Sequence, residues 1–309
     1  MKCTRCQSGN PDGARFCTSC GAPLTKPPRR RFSALAHALL YYFLFTAVQF
    51  VVIFTYEFAI AFSGAFNMAI HGGYDFEAMY ESLMETVLSK LTENVNAIMI
   101  LSALLTVLVL FLSFHLRHKK PLEEMHIRKI SPKAGILALL FGAALQGFTA
   151  IIMAFLPIPV ELIESFAENS ELISGGPIGT EILNVVLVTP IIEEIIFRGL
   201  VYTRLARGFK PWAAVILSAV IFGMAHGHII SFVYAGFLGI VLVALMRKQG
   251  DSVLVPILCH MGFNGASYLI SMIEEITLPV VALFFFSAAA AIFLGYFLLA
   301  KAPAERDEE

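Results

Sequence analysis

Long apolar runs separated by short polar segments make up most of the sequence after residue 34. Since a helix needs roughly 20 apolar residues to cross a bilayer, we predict about eight transmembrane helices and an all-α polytopic membrane protein. The fifth and sixth of these spans are short and meet at the sequence GHII. The predicted spans are residues 35–57, 95–116, 134–156, 180–200, 212–227, 229–246, 252–272 and 279–300.

The basic residues fall almost entirely on one side of this topology. When the N-terminus is placed in the cytoplasm and the sides alternate, twenty of the 22 Lys and Arg residues lie in inside segments. The other two are Lys90, which lies outside, and Arg198, which lies within a span. Because cytoplasmic loops carry an excess of Lys and Arg, we predict a multi-pass protein of the cell membrane with both termini in the cytoplasm.

Composition supports a membrane protein and argues against a nucleic-acid partner. The 309 residues are 58% hydrophobic, with a mean hydropathy of +0.76, whereas soluble domains are about 45–50% apolar. The formal net charge is −1, so the chain has no overall positive charge to attract nucleic acid. The lipid bilayer is therefore the first expected partner.

Four of the five cysteines lie in the first twenty residues, as the two CxxC pairs Cys3/Cys6 and Cys17/Cys20. Four thiolates on two tight turns suit the tetrahedral coordination of Zn²⁺. We therefore predict a zinc ribbon with a structural zinc ion; two disulfides are the alternative, which a cytosolic location disfavours. The second turn, FCTSCGAPL, resembles the short zinc ribbons at the N-termini of many prokaryotic membrane proteins.

Three predicted spans contain polar residues in lipid, where a charge costs several kcal/mol and usually has a function or a partner. The fourth span contains PIIEEIIFRGL, the fifth ends in FGMAHGH and the seventh contains PILCHMGFN. Glu194 and Arg198 are four residues apart on one helical face, in the favourable order, which predicts a structural ion pair. Glu193 points about 100° away, so it remains as a carboxylate suited to proton transfer.

The histidine-containing spans add polar groups with the same spacing. His260 and Asn264 lie four residues apart, as do Phe222 and His226, so each pair shares a helical face. Such a set supports hydrolysis: Glu193 would take a proton from water and a histidine would orient that water. His260 and Asn264 would donate to the oxyanion that forms on a peptide carbonyl.

The same atoms support a second interpretation, in which Glu193, His226 and His260 bind a catalytic Zn²⁺ ion with water in the fourth position. However, the sequence contains no H-E-x-x-H motif, and each ligand would come from a separate span. Cys259, beside His260 in the chain, faces elsewhere on a helix and is interpreted as core packing. We favour a mechanism without a catalytic metal, although the sequence leaves the choice open.

The three motifs together resemble a known family. EEIIFR fits EExxxR, FGMAH fits FxxxH and HMGFN fits HxxxN, in the order found in the CAAX prenyl protease and bacteriocin-processing (CPBP or Abi) family of intramembrane endopeptidases. The resemblance covers roughly residues 130–300. It implies an all-α fold with a chamber facing the cytoplasm. It also implies catalytic roles for Glu193, His226, His260 and Asn264, and supporting roles for Glu194, Arg198 and Phe222.

The expected function is therefore hydrolysis of a peptide bond in a membrane-associated or CAAX-like peptide or protein. The alternatives are a zinc metalloprotease using the same residues, a non-catalytic scaffold or regulator, and a transporter. The transporter is disfavoured because this sequence lacks the repeated halves that many transporters have. The ribbon would dock the substrate or a cytosolic protein partner. The predicted regions are a zinc ribbon (1–24), a basic Pro-rich linker (25–33), N-terminal transmembrane helices with a cytoplasmic loop (34–130), the protease core (131–300) and a charged cytoplasmic tail (301–309).

Overall fold

The computed structural model describes residues 2, 3, 5–12, 14, 16–22, 24, 31–71, 75–273 and 277–300. Most of the predicted basic linker and the whole predicted tail, 301–309, lie outside these residues. Within them, six helices are long and apolar enough to cross a membrane. The all-α polytopic fold is therefore confirmed. The count of about eight spans is approximate, because the predicted fourth and fifth spans are not among these six helices.

The fourth predicted span is part of a longer run of α and π turns, residues 178–208, which we call the interrupted helix. Five helices precede it in the described part of the chain. One short helix and then three longer helices follow it. In chain order the helices are α1 (Arg31–His71), α2 (Phe76–Leu116), α3 (Pro121–Glu124), α4 (Pro132–Phe155), α5 (Val160–Ile173), α6 (Ile178–Ile182), π1 (Leu183–Val188), α7 (Thr189–Glu193), π2 (Glu194–Tyr202), α8 (Thr203–Gly208), α9 (Pro211–Met224), α10 (Ile229–Lys248), α11 (Leu254–Ser271) and α12 (Leu278–Ala300).

The first two helices are much longer than the spans predicted for them. Helices α1 and α2 have 41 residues each, so each is about 60 Å long, twice the roughly 30 Å hydrocarbon core of a bilayer. The predicted outside loop between residues 57 and 95 is therefore wrong, because most of it is helical. Phenylalanines spaced four residues apart stack along α1 past the predicted end of the span, and such pairs stabilise a helix. They are Phe50, Phe54, Phe58, Phe62 and Phe66.

The fifth predicted span, 212–227, is too long, and its last residues are not helical. Helix α9 has 14 residues, about 21 Å, and ends at Met224. Gly227 has a φ of +73°, a left-handed conformation that glycine adopts readily. His228 then accepts a hydrogen bond from the Ile230 amide and caps α10. His226 therefore lies in a turn between two helices rather than deep within one.

Helices α4 and α11 are in close backbone contact through glycines. A Cβ atom at Gly142 of α4 would overlap the Cys259 carbonyl oxygen, and one at Gly262 of α11 would overlap the Leu139 carbonyl oxygen. Small residues at such crossings let two helix backbones approach each other in a membrane. This contact fixes α11, which carries His260 and Asn264, against the rest of the core.

We expect Gly262→Ala to destabilise the protein by about 1–3 kcal/mol, the usual cost of forcing extra volume into a packed core. Gly265→Ala on the same helix is the matched control, because its new Cβ would meet only Val186 Cγ1 at 3.5 Å, an ordinary contact. Alanine also favours a helix over glycine by about 1 kcal/mol. Thermal unfolding in detergent should show a lower melting temperature for the first variant only; equal values would contradict the close crossing.

Candidate functional site

The interrupted helix places two adjacent glutamates where α turns change to π turns. Pro190 lies in the short α7 stretch, immediately after π1, and Glu193 is the last residue of α7. Glu194 begins π2. Pro190 has no amide hydrogen to donate, and wide π turns inside helices are frequent at functional sites. The irregular geometry therefore coincides with the residues that the EExxxR motif singles out.

Glu194 is completely buried and has two partners. Its Oε1 atom accepts a hydrogen bond from Arg198 Nη1 at 2.9 Å and another from His260 Nδ1 at 2.9 Å. The exposed fraction of the side chain is 0% for Glu194 and 1% for Arg198. A charge so buried is tolerated only when it is paired and hydrogen-bonded. The ion pair with Arg198 is the one that the spacing predicts, whereas the bond to His260 was not predicted.

Glu193 is in a different environment from its neighbour. Its side chain is 16% exposed, and its Oε2 atom lies 3.9 Å from His260 Nε2, which is too long for a hydrogen bond. Within the described part of the chain Oε2 has no hydrogen-bond partner. One glutamate is thus enclosed and doubly bonded through Oε1, and the other is partly exposed; the Oε2 atom of each is buried without a hydrogen-bond partner in the described residues.

The hydrogen bond to Glu194 determines which nitrogen of His260 faces Glu193. Since an ionised carboxylate only accepts hydrogen bonds, the proton of this bond belongs to His260 Nδ1. In the neutral ring Nε2 then has a lone pair, whereas in the imidazolium it is a second donor. The bond to Glu194 therefore fixes the orientation of the ring and leaves Nε2 as the nitrogen nearer Glu193.

His226 is oriented by a backbone carbonyl. Its Nδ1 atom lies 2.8 Å from the Phe222 carbonyl oxygen, and because a carbonyl only accepts, Nδ1 is the protonated nitrogen. The Nε2 atom of the neutral ring is therefore an acceptor. The ring is only partly buried, so this acceptor is suited to a water molecule.

The ring of Phe222 connects the three polar segments. The side chain is fully buried, and the Arg198 guanidinium carbon lies 4.0 Å above the centre of its ring. The ring centres of His226 and His260 lie 4.7 Å and 6.1 Å from it, both edge to face. A cation over an aromatic face is attracted by the ring quadrupole, so Phe222 stabilises Arg198 and supports both imidazoles.

Asn264 has a structural bond that the sequence does not predict. Its side-chain Nδ2 donates to the Val185 carbonyl oxygen at 2.9 Å, an acceptor in the π1 stretch. An amide nitrogen has two hydrogens, so one donor remains. Asn264 therefore ties α11 to the interrupted helix and can still donate to a bound group.

A second chain of polar side chains, which the sequence analysis did not predict, also holds the π1 segment. Thr189 donates to the Asn184 side-chain oxygen at 3.1 Å, and Asn184 donates to Asn96 at 2.9 Å. Asn96 in turn donates to the Gly175 carbonyl oxygen at 2.7 Å. Asn96 and Asn184 are buried. The sequence feature that could have predicted this network is the presence of asparagine side chains within apolar segments.

The cysteine pairs form two similar turns. In the first, the Cys3 amide donates to the Ser8 carbonyl and the Gln7 amide to the Cys3 carbonyl. In the second, the Gly21 amide donates to the Cys17 carbonyl. The residue after each CxxC has a positive φ, 60° at Gln7 and 70° at Gly21. The repeated geometry turns both thiol pairs toward a common centre.

Among the described residues, the four cysteines are the group of metal-ligating side chains whose ligand atoms lie within 4.8 Å of one another. Their sulfurs are 3.7 Å apart for Cys3 and Cys20 and 3.5 Å apart for Cys6 and Cys17, and all are free thiols. Zinc–sulfur bonds of about 2.3 Å in a tetrahedron require similar separations, so these residues fit a structural zinc ion.

Glu193, His226 and His260 do not form such a group in the described residues. In each histidine Nδ1 is hydrogen-bonded, to the Phe222 carbonyl for His226 and to Glu194 for His260, which leaves Nε2 as the second ring nitrogen. Histidines that ligate a metal through Nε2 make the same kind of bond through Nδ1, so these bonds are compatible with both interpretations.

Comparison with known proteins places two parts of the chain in described families. Residues 177–266 match the family described as "Type II CAAX prenyl endopeptidase Rce1-like", and residues 2–24 match a zinc-ribbon domain. No curated protein and no solved structure matches the chain. The first match lies inside the predicted core of residues 131–300 and includes all the motif residues. The resemblance inferred from the three motifs is therefore confirmed.

Proposed function

The chain carries an Rce1-like CAAX protease domain behind an N-terminal zinc ribbon, and from this premise we propose that it is an intramembrane endopeptidase that uses Glu193 to activate water. The substrate is a membrane-associated or CAAX-like peptide or protein, approached from the side that the charge distribution predicts to be cytoplasmic. The observation that carries the proposal is the contrast between Glu193, whose side chain is partly exposed, and Glu194, which is fully buried and bonded to Arg198 and His260.

In the first step Glu193 takes a proton from a water molecule, and the water oxygen bonds to the carbon of the scissile peptide. His226 accepts a hydrogen bond from this water through Nε2, since its Nδ1 proton is committed to the Phe222 carbonyl. Negative charge develops on the carbonyl oxygen. Donors placed in advance at that oxygen lower the barrier, and here they are the imidazolium of His260 and the remaining amide hydrogen of Asn264.

In the second step the carbon–nitrogen bond breaks, and Glu193 returns its proton to the amine that leaves. The carboxylate is thereby restored and no cofactor is consumed. Glu194 does not touch the reacting atoms. It is a positioning residue, which keeps His260 oriented and positively charged through the bond to Nδ1.

The proposal can be tested with the purified full-length protein in lipid vesicles. Peptides with CAAX-type C-termini, prenylated and unprenylated, are incubated with it, and the products are identified by mass spectrometry. We expect a single internal cleavage, and comparison of the two peptide sets shows whether the lipid is required. If no peptide is cut and cells with and without Glu193→Gln have identical membrane peptidomes, the endopeptidase proposal is wrong.

A chelator distinguishes this mechanism from the metal-dependent alternative. Among the described residues, Glu193, His226 and His260 do not form a group of metal-ligating side chains, and the proposed steps use protein groups alone. We therefore expect hydrolysis by the ribbon-free protein to persist in 1,10-phenanthroline. Loss of activity that added Zn²⁺ restores would instead assign the reaction to a metalloprotease.

For the ribbon we propose a docking role with a bound structural zinc ion. Cys3→Ser removes one of four thiolates and should release zinc and unfold the ribbon, because small zinc modules fold only with their metal. Hydrolysis of a short peptide should be unchanged, since the site lies far along the chain in α7 and α11. Zinc content by mass spectrometry of metals and peptide turnover measure the two effects; Thr18→Ser serves as the control, and joint loss of both would contradict a docking role.

A further inference from the structure

A cavity of about 270 Å³ lies between the start of α1, the segment after α2 and the end of α8. It is separate from the residues around Glu193. Its wall is unusual because half of the residues that line it are basic. The lining consists of Ser33, Ala34, His37, Tyr41, Arg117, Lys119, Arg204 and Arg207.

The positive charge of this cavity is only partly neutralised. Glu124 bonds to Arg204 Nη2 at 2.6 Å and to Lys119 Nζ at 3.1 Å. Arg117 and Arg207 form no ion pair with any carboxylate that the structure describes. One carboxylate thus faces four cations, which leaves an excess of three positive charges around one cavity.

The pKa values of the neighbouring groups are consistent with this excess. Burial alone would raise the pKa of the Glu124 carboxyl, but Lys119 and Arg204 more than offset it and hold the pKa below its usual range. Partial burial and the charge of Arg204 lower the pKa of the Arg207 guanidinium, which still remains charged at neutral pH. The carboxylate is therefore ionised, and the cations remain in excess.

The cavity is also rigid on one side. Arg204 is only 4% exposed, and its guanidinium carbon lies 5.4 Å from the centre of the Tyr41 ring. Ser33 and Ala34 of α1 complete this part of the lining. A buried arginine and an aromatic ring thus line the same cavity as three exposed cations.

The distribution of basic residues predicts that this cavity lies at a membrane surface. Arg117 directly follows α2, whose last turns are apolar, and Ser33 lies two residues after the start of α1. Both helices begin or end here on the side that the distribution of basic residues predicts to be cytoplasmic. The cytoplasmic leaflet contains anionic lipids that attract basic groups near the surface.

We propose that this cavity binds a phosphate group, supplied by the headgroup of an anionic phospholipid of the adjacent leaflet. Arg204 and Lys119 are paired with Glu124, and Arg117 and Arg207 supply the unpaired charge. The bound phosphate also links α1 to α8, which continues the helix that carries Glu194. The same chemistry would accept a free phosphate, so the experiment separates the two sources.

The test uses the purified full-length protein in neutral detergent. Binding of phosphatidylglycerol and of phosphatidylcholine is measured by native mass spectrometry and by the rise in melting temperature, with inorganic phosphate as a separate titration. The variant Arg117→Gln/Arg207→Gln removes the unpaired cations. Lys129→Gln/Lys133→Gln removes two exposed cations from the same predicted side, outside the cavity, and is the matched control.

We expect the wild type and the control to prefer phosphatidylglycerol, and the cavity variant to bind it about tenfold or more weakly. Inorganic phosphate that competes with the lipid and stabilises the protein equally would identify free phosphate as the source. Equal affinity for the two lipids without a phosphate effect, or equal loss in cavity and control variants, would overturn the proposal. If the double variant fails to fold, Arg117→Gln alone, outside any helix, gives the same comparison.

Discussion

Glu193→Gln should abolish peptide hydrolysis while the protein stays folded and in the membrane. Glutamine has nearly the same shape as glutamate but cannot take a proton from water. General acid–base groups contribute roughly 10²–10⁴-fold to rates, and Glu193 is used in both proposed steps, so we expect a loss of about a thousandfold or more. Single-turnover cleavage of a CAAX-type peptide in vesicles, with product counted by mass spectrometry, measures this loss.

Two controls separate catalysis from folding in this experiment. Glu123→Gln removes a carboxylate whose side chain is 68% exposed and paired with Lys120, and it should leave turnover unchanged. The melting temperature of Glu193→Gln should equal that of the wild type, because Glu193 Oε2 has no hydrogen-bond partner in the described residues. Normal turnover by Glu193→Gln would remove Glu193 from the mechanism.

The parts of the site that the sequence predicts are those set by local helical spacing. The pairing of Glu194 with Arg198 and the separation of Glu193 from it follow from the angle between neighbouring residues on a helix. The link from Phe222 to His226 also persists, although α9 ends between them, because the turn keeps the His226 ring near the Phe222 carbonyl. Interactions within one helical turn can therefore be predicted without knowledge of the fold.

Contacts between distant segments could not be predicted in the same way. His260 lies 66 positions from Glu194, and Asn264 lies 79 positions from Val185. Which face of α11 meets the interrupted helix depends on the glycine crossing with α4, and a hydropathy pattern does not contain that information. The sequence therefore identifies His260 and Asn264 as polar residues of the site. It does not predict that His260 bonds to Glu194 and that Asn264 bonds to the Val185 carbonyl.

The predicted helix lengths were wrong for a different physical reason. A hydropathy window predicts where a chain can lie in lipid, but it does not predict where a helix ends. Helices α1 and α2 continue because each supports the other beyond the bilayer thickness, as in the bond from Tyr56 to the Lys90 carbonyl. Helix α9 ends early because of Gly227 and the cap at His228. Both deviations depend on local backbone chemistry and packing rather than on hydrophobicity.

Arg198→Met should destabilise the protein strongly, by about 3–5 kcal/mol, since removal of one partner leaves the other charge buried without compensation. Glu194 would keep only the bond from His260, and Phe222 would lose the cation above its ring. Glu194→Gln should be destabilising for the converse reason, because Arg198 would remain charged in a fully buried position. Equilibrium unfolding in mixed micelles gives the free energy of unfolding of each variant.

The double variant Glu194→Gln/Arg198→Met separates the structural role of this pair from its role in catalysis. It contains no unpaired buried charge, so most of the lost stability should return, as it does when buried ion pairs are replaced by neutral groups of similar volume. Hydrolysis should remain low, because a neutral glutamine accepts the His260 Nδ1 bond but does not stabilise the imidazolium. The fall should appear in kcat rather than KM. A double variant as unstable as Arg198→Met would contradict the ion pair, and one with restored turnover would show that Glu194 acts on stability alone.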